Sequence, residues 1–371
     1  MSASDPSRTR EPAPQAESPD GRGEARAPDV GVVVIGRNEG ERLERSLRSL
    51  RSDLRRVLYV DSGSSDGSVE LGRRLASEVV LLDDSVPFTA ARARNAGLKR
   101  LLELDASVEL VQFVDGDCEL EAGWLERGRA ALQGGPTLAA VCGRLRERHP
   151  DASLYARLSQ MEWNRPAGET LACGGIAMFR VAALNAVGGF HDSMIAGEEP
   201  ELCYRLRRAG WRIERLDDAM GVHDGGMITF RQWWLRAVRN GHAYAENAAL
   251  QAGPGERGSL RPVASMLFWG LLAPLAALGG AAAAAASAWA AVVPLGVASG
   301  YLLLFARIHR SSRRLGESHR HASLYALFCV LGKLPYCLGA ERYWIGRARR
   351  RPSALIEYKV VEGRNAPRST P

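Results

Sequence analysis

Through its first two thirds the chain alternates short β-branched runs with stretches of helical periodicity. Val32-Val33-Val34-Ile35 is an apolar run closed by Gly36, and it reads as a buried strand. From Glu41 to Arg51 the side chains of Leu43, Leu47 and Leu50 fall on one face at helical spacing. Val57-Leu58-Tyr59-Val60 predicts a second strand, Val79 to Leu82 a third, and Val111-Gln112-Phe113-Val114 a fourth. Helices are expected between them, one over 89–103. Strands alternating with helices predict a mostly parallel α/β sheet with helices on both faces. Ligands bind such sheets beyond the carboxyl ends of the strands. Three of those ends carry polar side chains: Asn38 and Glu39, then Asp61, then Asp115 and Asp117.

A second pattern follows. The 45 residues from 262 to 306 contain no charged side chain. As one helix they would span roughly 68 Å, against a hydrocarbon core of about 30 Å. Two passes fit, joined near Gly279 to Trp289, and they predict a transmembrane helical hairpin. A third apolar stretch, 322–340, is interrupted by Lys333 and Pro335 and reads as a re-entrant or interfacial segment. From Arg307 onward 14 Lys/Arg face 4 Asp/Glu, so this stretch carries +10 and residues 1–306 carry −3. Basic clusters after both apolar blocks put both flanks on the cytoplasmic side. The expected location is therefore the plasma membrane (a cell's inner membrane), multi-pass, with the sheet domain cytoplasmic. Phe230 to Arg239 combines Trp and Arg, as suits a helix at the membrane interface. Residues 1–28, rich in Pro, Ser, Arg, Glu and Ala, read as a disordered leader. The expected organisation is a leader over 1–28, an α/β domain over 29–226 and an amphipathic linker over 227–261. Two spans over 262–306 and a basic tail over 307–371 follow.

Composition narrows the classes. The chain has 371 residues, 46% hydrophobic and 25% charged, which fits two or three globular units and excludes wholesale disorder. Mean hydropathy of −0.17 excludes a polytopic transporter. Six cysteines without a CxxC pair speak for reduced thiols on the cytosolic side and against a zinc ribbon. The basic excess lies in a tail behind an apolar block, so it points to a membrane surface and not to nucleic acid.

Candidate chemistry sits at the strand ends. Asp115-Gly116-Asp117 is a DxD, and two carboxylates on alternate residues can hold Mg²⁺ or Mn²⁺ through oxygen. Alone it is a weak signal; after a clean apolar strand and two other polar strand ends it gains weight. In Asp61-Ser62-Gly63-Ser64-Ser65-Asp66-Gly67, Asp66 suits the N-cap of a following helix, and Asp61 stands where it can reach a ligand. Gly197-Glu198-Glu199-Pro200-Glu201 opens a helix whose last turns are basic. The helix dipole alone accounts for most of that arrangement, unless one carboxylate faces the site as a base.

Taken in order, these blocks resemble glycosyltransferase family 2, of the GT-A fold. They are Val33 to Glu39, Val60 to Ser68, Ala91-Arg92-Ala93-Arg94-Asn95-Ala96-Gly97 and Phe113 to Asp117. Cys173-Gly174-Gly175-Ile176 resembles the family's glycine loop. Val187-Gly188-Gly189-Phe190 followed by Glu198-Glu199-Pro200-Glu201-Leu202 resembles its acceptor-side acidic block. The resemblance covers about 30–225.

It implies that Asn38, Glu39 and Asp61 contact base and ribose of a nucleotide-sugar donor and that Arg94 supports the nucleotide. Asp115 would bind ribose or metal, Asp117 and His223 the metal, and Gly174 and Gly175 would admit the sugar. The second acid of the block is the usual base, which implies Glu199. The family prefers Asp there, and the extra methylene leaves Glu198 as the alternative. A metal-dependent inverting transfer to a hydroxyl or lipid-linked acceptor follows from the resemblance. A QxxRW motif is absent around Gln232, and two spans do not build a polymer channel. A nucleotidyltransferase and a non-catalytic membrane scaffold are the readings from other classes.

Overall fold

The computed structural model describes residues 29–50, 56–251, 260–351 and 353–358. The leader over 1–28 and parts of the linker and basic tail lie outside these residues. In chain order the first half runs β1 (Asp29–Gly36), α1 (Glu41–Ser49), β2 (Val57–Asp61), α2 (Ser68–Leu75), β3 (Glu78–Leu81), α3 (Ala90–Leu104) and β4 (Val108–Asp115). β5 (Cys118–Leu120), α4 (Trp124–Gly134), β6 (Leu138–Glu147), α5 (Leu154–Trp163), β7 (Gly168–Glu169) and β8 (Ala177–Arg180) follow. Then come α6 (Val181–Val187), α7 (Glu198–Arg208), β9 (Arg212–His223) and α8 (Phe230–Leu250).

The strands form one sheet in the order β3-β2-β1-β4-β8-β6-β9-β5, with β7 on β9. β3, β2, β1 and β4 pair in parallel, as the alternation predicts. β8 enters antiparallel between β4 and β6, and β5 and β7 run antiparallel to β9. These reversals lie in short strands with little pattern of their own.

The core lies where the apolar runs meet. Val32, Val33, Val34, Tyr59 and Phe113 are fully buried, and each large apolar side chain so buried contributes about 1.5–3 kcal/mol. The Phe113 ring meets Phe179 and Phe190 edge-on, at 5.8 and 5.5 Å between centroids. Register brings the strand ends level: Ile35 stands beside Asp115 on one side, and Gly36 beside Asp61 on the other.

Beyond α8 the chain forms α9 (Leu260–Leu267), one π turn (Phe268–Leu272) and α10 (Ala273–Ala284). α11 (Val292–Arg314), α12 (His319–Leu331) and α13 (Lys333–Ala348) complete it. Among the described residues three helical stretches are long and apolar enough to cross a membrane: Leu260–Ala284, Ala288–Arg314 and His319–Ala348. The first two are the expected hairpin, with the break at 285–287.

The third covers the segment expected to be interfacial, and it lies along α8. Phe328 packs edge-on to Trp233 at 4.9 Å between centroids, and Tyr343 to His242 at 5.2 Å. Between these contacts the backbones approach closely. A Cβ on Gly241 would fall 2.0 Å from the Tyr336 carbonyl oxygen, and one on Gly339 2.0 Å from that of Val238. α7 and α8 are tied as well: Asn247 Nδ2 donates to the Gly197 carbonyl at 2.9 Å.

Candidate active site

A cleft of about 460 Å³ opens at the carboxyl ends of β1 and β4. Asn38, Glu39, Arg94, Asp115, Asp117, Gly175, Glu198 and His223 all line it. Distant sequence blocks thus meet at the place that the strand pattern marks.

Arg94 is the hub. It is 2% exposed on α3, over the Phe190 ring at 5.6 Å. Its Nη1 donates to Glu198 Oε1 at 2.6 Å and its Nη2 to Asp115 Oδ1 at 2.8 Å. Burial opposes the guanidinium charge, but Asp115 and Glu198 outweigh it and raise the pKa further. Burial likewise opposes the Glu198 carboxylate, and Arg94 outweighs it, holding the pKa below the usual value. Glu198 is therefore ionised at neutral pH. Gly175 admits no side chain, since a Cβ would lie 2.8 Å from both Arg94 Nη2 and Asp115 Oδ2. Gly174 sits at φ 83°, a left-handed conformation natural to glycine.

The two adjacent acids of α7 face different surroundings. Glu198 lines the cleft. Glu199, the position that the family resemblance marks as the base, is 6% exposed. Its Oε1 accepts from the Cys173 backbone N–H at 2.5 Å and from the Cys203 thiol at 2.9 Å. Two sulfur atoms, Cys173 and Cys203, lie 3.6 Å apart beside it. Burial pushes the Cys203 thiol up to about 11, so it stays protonated and a donor.

The expected metal residues divide as well. Asp117 and His223 come together, Oδ2 to Nε2 at 3.3 Å, because β5 sets Cys118 opposite His223 on β9. With the Cys118 sulfur they form one compact group of potential ligand atoms. Asp115 stands apart from that group, on Arg94. β6 sets Glu147 level with His223, and His223 Nδ1 lies 2.7 Å from Glu147 Oε1. Burial opposes the imidazolium, but Asp117 and Glu147 outweigh it and lift the pKa of His223 from 6.5 to about 10. A divalent cation such as Mn²⁺ or Mg²⁺ would displace the Nε2 proton, leaving the Asp117 carboxylate and a neutral imidazole, its far nitrogen held by Glu147, to ligate it.

Asn38 lines the cleft, whereas Asp61 is not among its lining residues. Asn38 adopts φ 55°, its backbone N–H donates to Ser64 Oγ, and its Oδ1 accepts from the Ser65 N–H. Asp61 is 2% exposed and turned to its own loop. It accepts from the backbone N–H groups of Gly63 and Ser64 and from the Tyr59 hydroxyl, at 2.8–2.9 Å. Asp66 accepts from Ser68 N–H and Oγ, while Gly67 holds the N-cap position. Glu39 lies 2.9 Å from Arg42.

The sequence pattern did not single out Glu147, Trp163, Arg236 and Arg239. Glu147 closes β6 after Arg144-Leu145-Arg146, so no apolar run marks it in the sequence. Trp163 lines the cleft and donates to Glu147 Oε1 at 3.2 Å. Arg236 and Arg239 reach the cleft from α8, and nothing in the Trp/Arg pattern separates a cleft-facing Arg from a membrane-facing one.

Comparison with known proteins is consistent with this geometry. The family model described as "Glycosyl transferase family 2" matches residues 31–188, and that described as "Glycosyl transferase family group 2" matches 114–307. The chain is 26% identical to the glycosyltransferase AglE of Haloferax volcanii, over 65% of this chain and 80% of that protein. It is 28% identical to the succinoglycan biosynthesis protein ExoA of Rhizobium meliloti, over 86% and 96%. It is 30% identical to the pre-mycofactocin glycosyltransferase of Mycobacterium tuberculosis, over 58% of this chain and 47% of that one. In fold it is similar to the mannosyltransferase PcManGT of Pyrobaculum calidifontis, solved with GDP-Man and Mn²⁺. That match has TM-score 0.54 and 22% identity, over 85% of this chain and 88% of the other.

Proposed function

The chain belongs to glycosyltransferase family 2, and from that premise we propose that it moves a sugar, with inversion, from a nucleotide-sugar donor to a hydroxyl of a membrane-held acceptor. Family membership displaces the nucleotidyltransferase reading. The observation that carries the proposal is the convergence of Asp115, Arg94 and Glu198 at 2.6–2.8 Å beside the Asp117–His223 pair. Such a cleft offers an ionised carboxylate to an acceptor and a charge-bearing pocket to a donor.

Glu198 is the proposed base. An acceptor hydroxyl has a pKa far above 7, so its proton must leave as its oxygen attacks the anomeric carbon. The carboxylate takes that proton, the anomeric C–O bond to the diphosphate breaks, and one in-line displacement inverts the centre. Arg94 holds Glu198 and Asp115 in fixed orientation. Gly175 lets the donor approach the backbone. Asp117 and His223 would hold a divalent cation, while Asp115 stays on Arg94. Such an ion supplies neutralisation of the charge that develops on the leaving diphosphate.

The acceptor side rests on the helices. We read 262–306 as two spans and 319–348 as an interfacial helix, since the latter packs along α8 of the catalytic domain. The domain then sits on the cytoplasmic face, and a lipid-linked saccharide is the acceptor within its reach. The relative ExoA, named for succinoglycan biosynthesis, agrees with a saccharide acceptor. The test is a panel of nucleotide sugars with the full chain in detergent or vesicles, scored by nucleoside diphosphate release. Release with one donor, enhanced by a membrane-extracted acceptor and lost in EDTA, is expected. Full release in chelator would overturn the metal, and no release with any donor would overturn the transfer itself.

A further inference from the structure

The cleft is rich in acids, yet the donor proposed for it is an anion. Glu39, Asp115, Asp117 and Glu198 all line it, against the cations Arg37, Arg94, Arg236 and Arg239. Two of these cations are committed. Arg94 is shared by Asp115 and Glu198, and Arg236 lies 2.6 Å from Glu162. Two remain to face an incoming diphosphate, and the chain's own C-terminal segment is on both. Arg37 Nη1 lies 2.8 Å from Glu357 Oε1. The Arg239 guanidinium lies 5.7 Å from the Tyr358 ring centroid, and Arg239 forms no ion pair among the described residues.

This segment arrives from the end of α13. Ser353 Oγ lies 3.1 Å from His242 Nε2 on α8, and Leu355, Ile356, Glu357 and Tyr358 then line the cleft beside Asn38, Glu39 and Asp115. The Arg37 and Glu357 side chains are 31% and 46% exposed. An ion pair so exposed is weak and exchangeable, and one cation–ring contact 5.7 Å long to the half-buried Tyr358 is a modest addition. The contact is thus suited to being replaced and not to holding the fold together.

We propose that the segment Ser353–Tyr358 is an internal plug of the donor site: Glu357 occupies Arg37 in place of an anionic group of the donor, and nucleoside diphosphate binding displaces it. The proposal rests on the donor reading given above. It adds Arg37 and Arg239 as residues that hold the donor's anionic part once the plug has left.

The test is calorimetric titration of the full-length protein with UDP, GDP, CDP and dTDP, each with MnCl₂. Glu357→Ala should tighten binding of the preferred nucleotide by roughly two- to fivefold, the worth of one exposed ion pair. Glu357→Lys should do at least as much. Arg37→Glu should weaken binding, and the charge swap Arg37→Glu with Glu357→Arg should not restore it, whereas a purely structural ion pair would be rescued. In the wild type, cleavage after Tyr358 by chymotrypsin should accelerate when the preferred nucleotide and MnCl₂ are added. Unchanged or weaker binding in Glu357→Ala, or rescue by the swap, overturns the plug. Failure of every nucleotide to bind both wild type and variants overturns the donor reading, and the plug with it.

Discussion

Replacing Glu198 by Gln tests the site at its most discriminating point. The amide keeps the size of the side chain, and its oxygen can still accept from Arg94 Nη1, now 2.6 Å away. What disappears is the charge and the basic oxygen. Arg94 keeps Asp115 at 2.8 Å, so the buried guanidinium is not stranded. The stability loss should therefore stay near the value of one charged hydrogen bond, about 1.5–3 kcal/mol. Turnover should fall further, by about 10²–10⁴-fold, the usual worth of a general base. Glu199→Gln makes the opposite pattern. Its amide oxygen can still accept from Cys173 N–H and the Cys203 thiol, so turnover should fall less than about tenfold, within the range of a neutral hydrogen bond. Both variants are read by nucleoside diphosphate release at saturating donor, with nucleotide binding and thermal midpoint as controls. If Glu199→Gln loses turnover by two or more orders while Glu198→Gln keeps it, the base lies in the thiol pocket and the assignment from the cleft lining is wrong.

Further outcomes follow from the same geometry. Asp117→Ala should abolish Mn²⁺ binding measured by calorimetry and reproduce the effect of EDTA on turnover, whereas Asp115→Ala should leave Mn²⁺ binding measurable. Gly175→Ala should lower turnover at least about tenfold, because its Cβ would stand 2.8 Å from Arg94 and Asp115 and the 1 Å-scale shift needed misplaces both. A reporter active only outside the cytoplasm, fused to the C-terminus, should stay silent if 319–348 is interfacial; a strong signal would make it a third full pass. His242 and Glu246, 3.6 Å apart on α8, should oppose one another in pH-dependent stability. Burial raises Glu246 to about 7, so the native state keeps a proton that the unfolded state has lost, and stability falls as pH rises through 4.5–7. Burial lowers His242 to about 4, so the native state lacks a proton that the unfolded state holds, and stability rises over 4–6.5. Relative to wild type, Glu246→Gln should make the thermal midpoint climb across pH 4.5–6.5, and His242→Gln should make it fall.

The parallel half of the sheet is legible because β1, β2 and β4 each carry a mostly apolar run, broken in β4 by Glu109 and Gln112, with polar residues at or just beyond its carboxyl end. That same signal marks Asn38, Glu39, Asp115 and Asp117 from their position along the chain alone. β8, inserted antiparallel between β4 and β6, is short, and no local pattern sets its direction. The choice between Glu198 and Glu199 is equally illegible. Neighbours on a helix point about 100° apart, and what decides their surroundings is a pocket made by Cys173 and Cys203, 30 residues apart in sequence. Asp61 shows the limit of a strand-end rule: the position is right, but its carboxylate closes its own loop. Glu357 and Tyr358 follow no periodicity, so their place over the cleft depends wholly on the course of α13.

The glycine crossing of α8 and α13 fixes the C-terminal helices against the sheet domain. With Gly241 and Gly339 each facing a carbonyl oxygen only 2.0 Å from where a side chain would begin, the two helices meet without any intervening layer. α8 also grips Gly197 through Asn247, one residue before Glu198. Helix α13 is thereby linked to Glu198, the proposed base, through a short chain of contacts along α8. If α13 lies at the bilayer surface, as proposed above, the cleft is held at a fixed elevation above the lipid, like a tool clamped to a bench. Under that geometry the enzyme selects acceptors by reach as well as by chemistry: the hydroxyl must project from the membrane by the distance that the clamp defines.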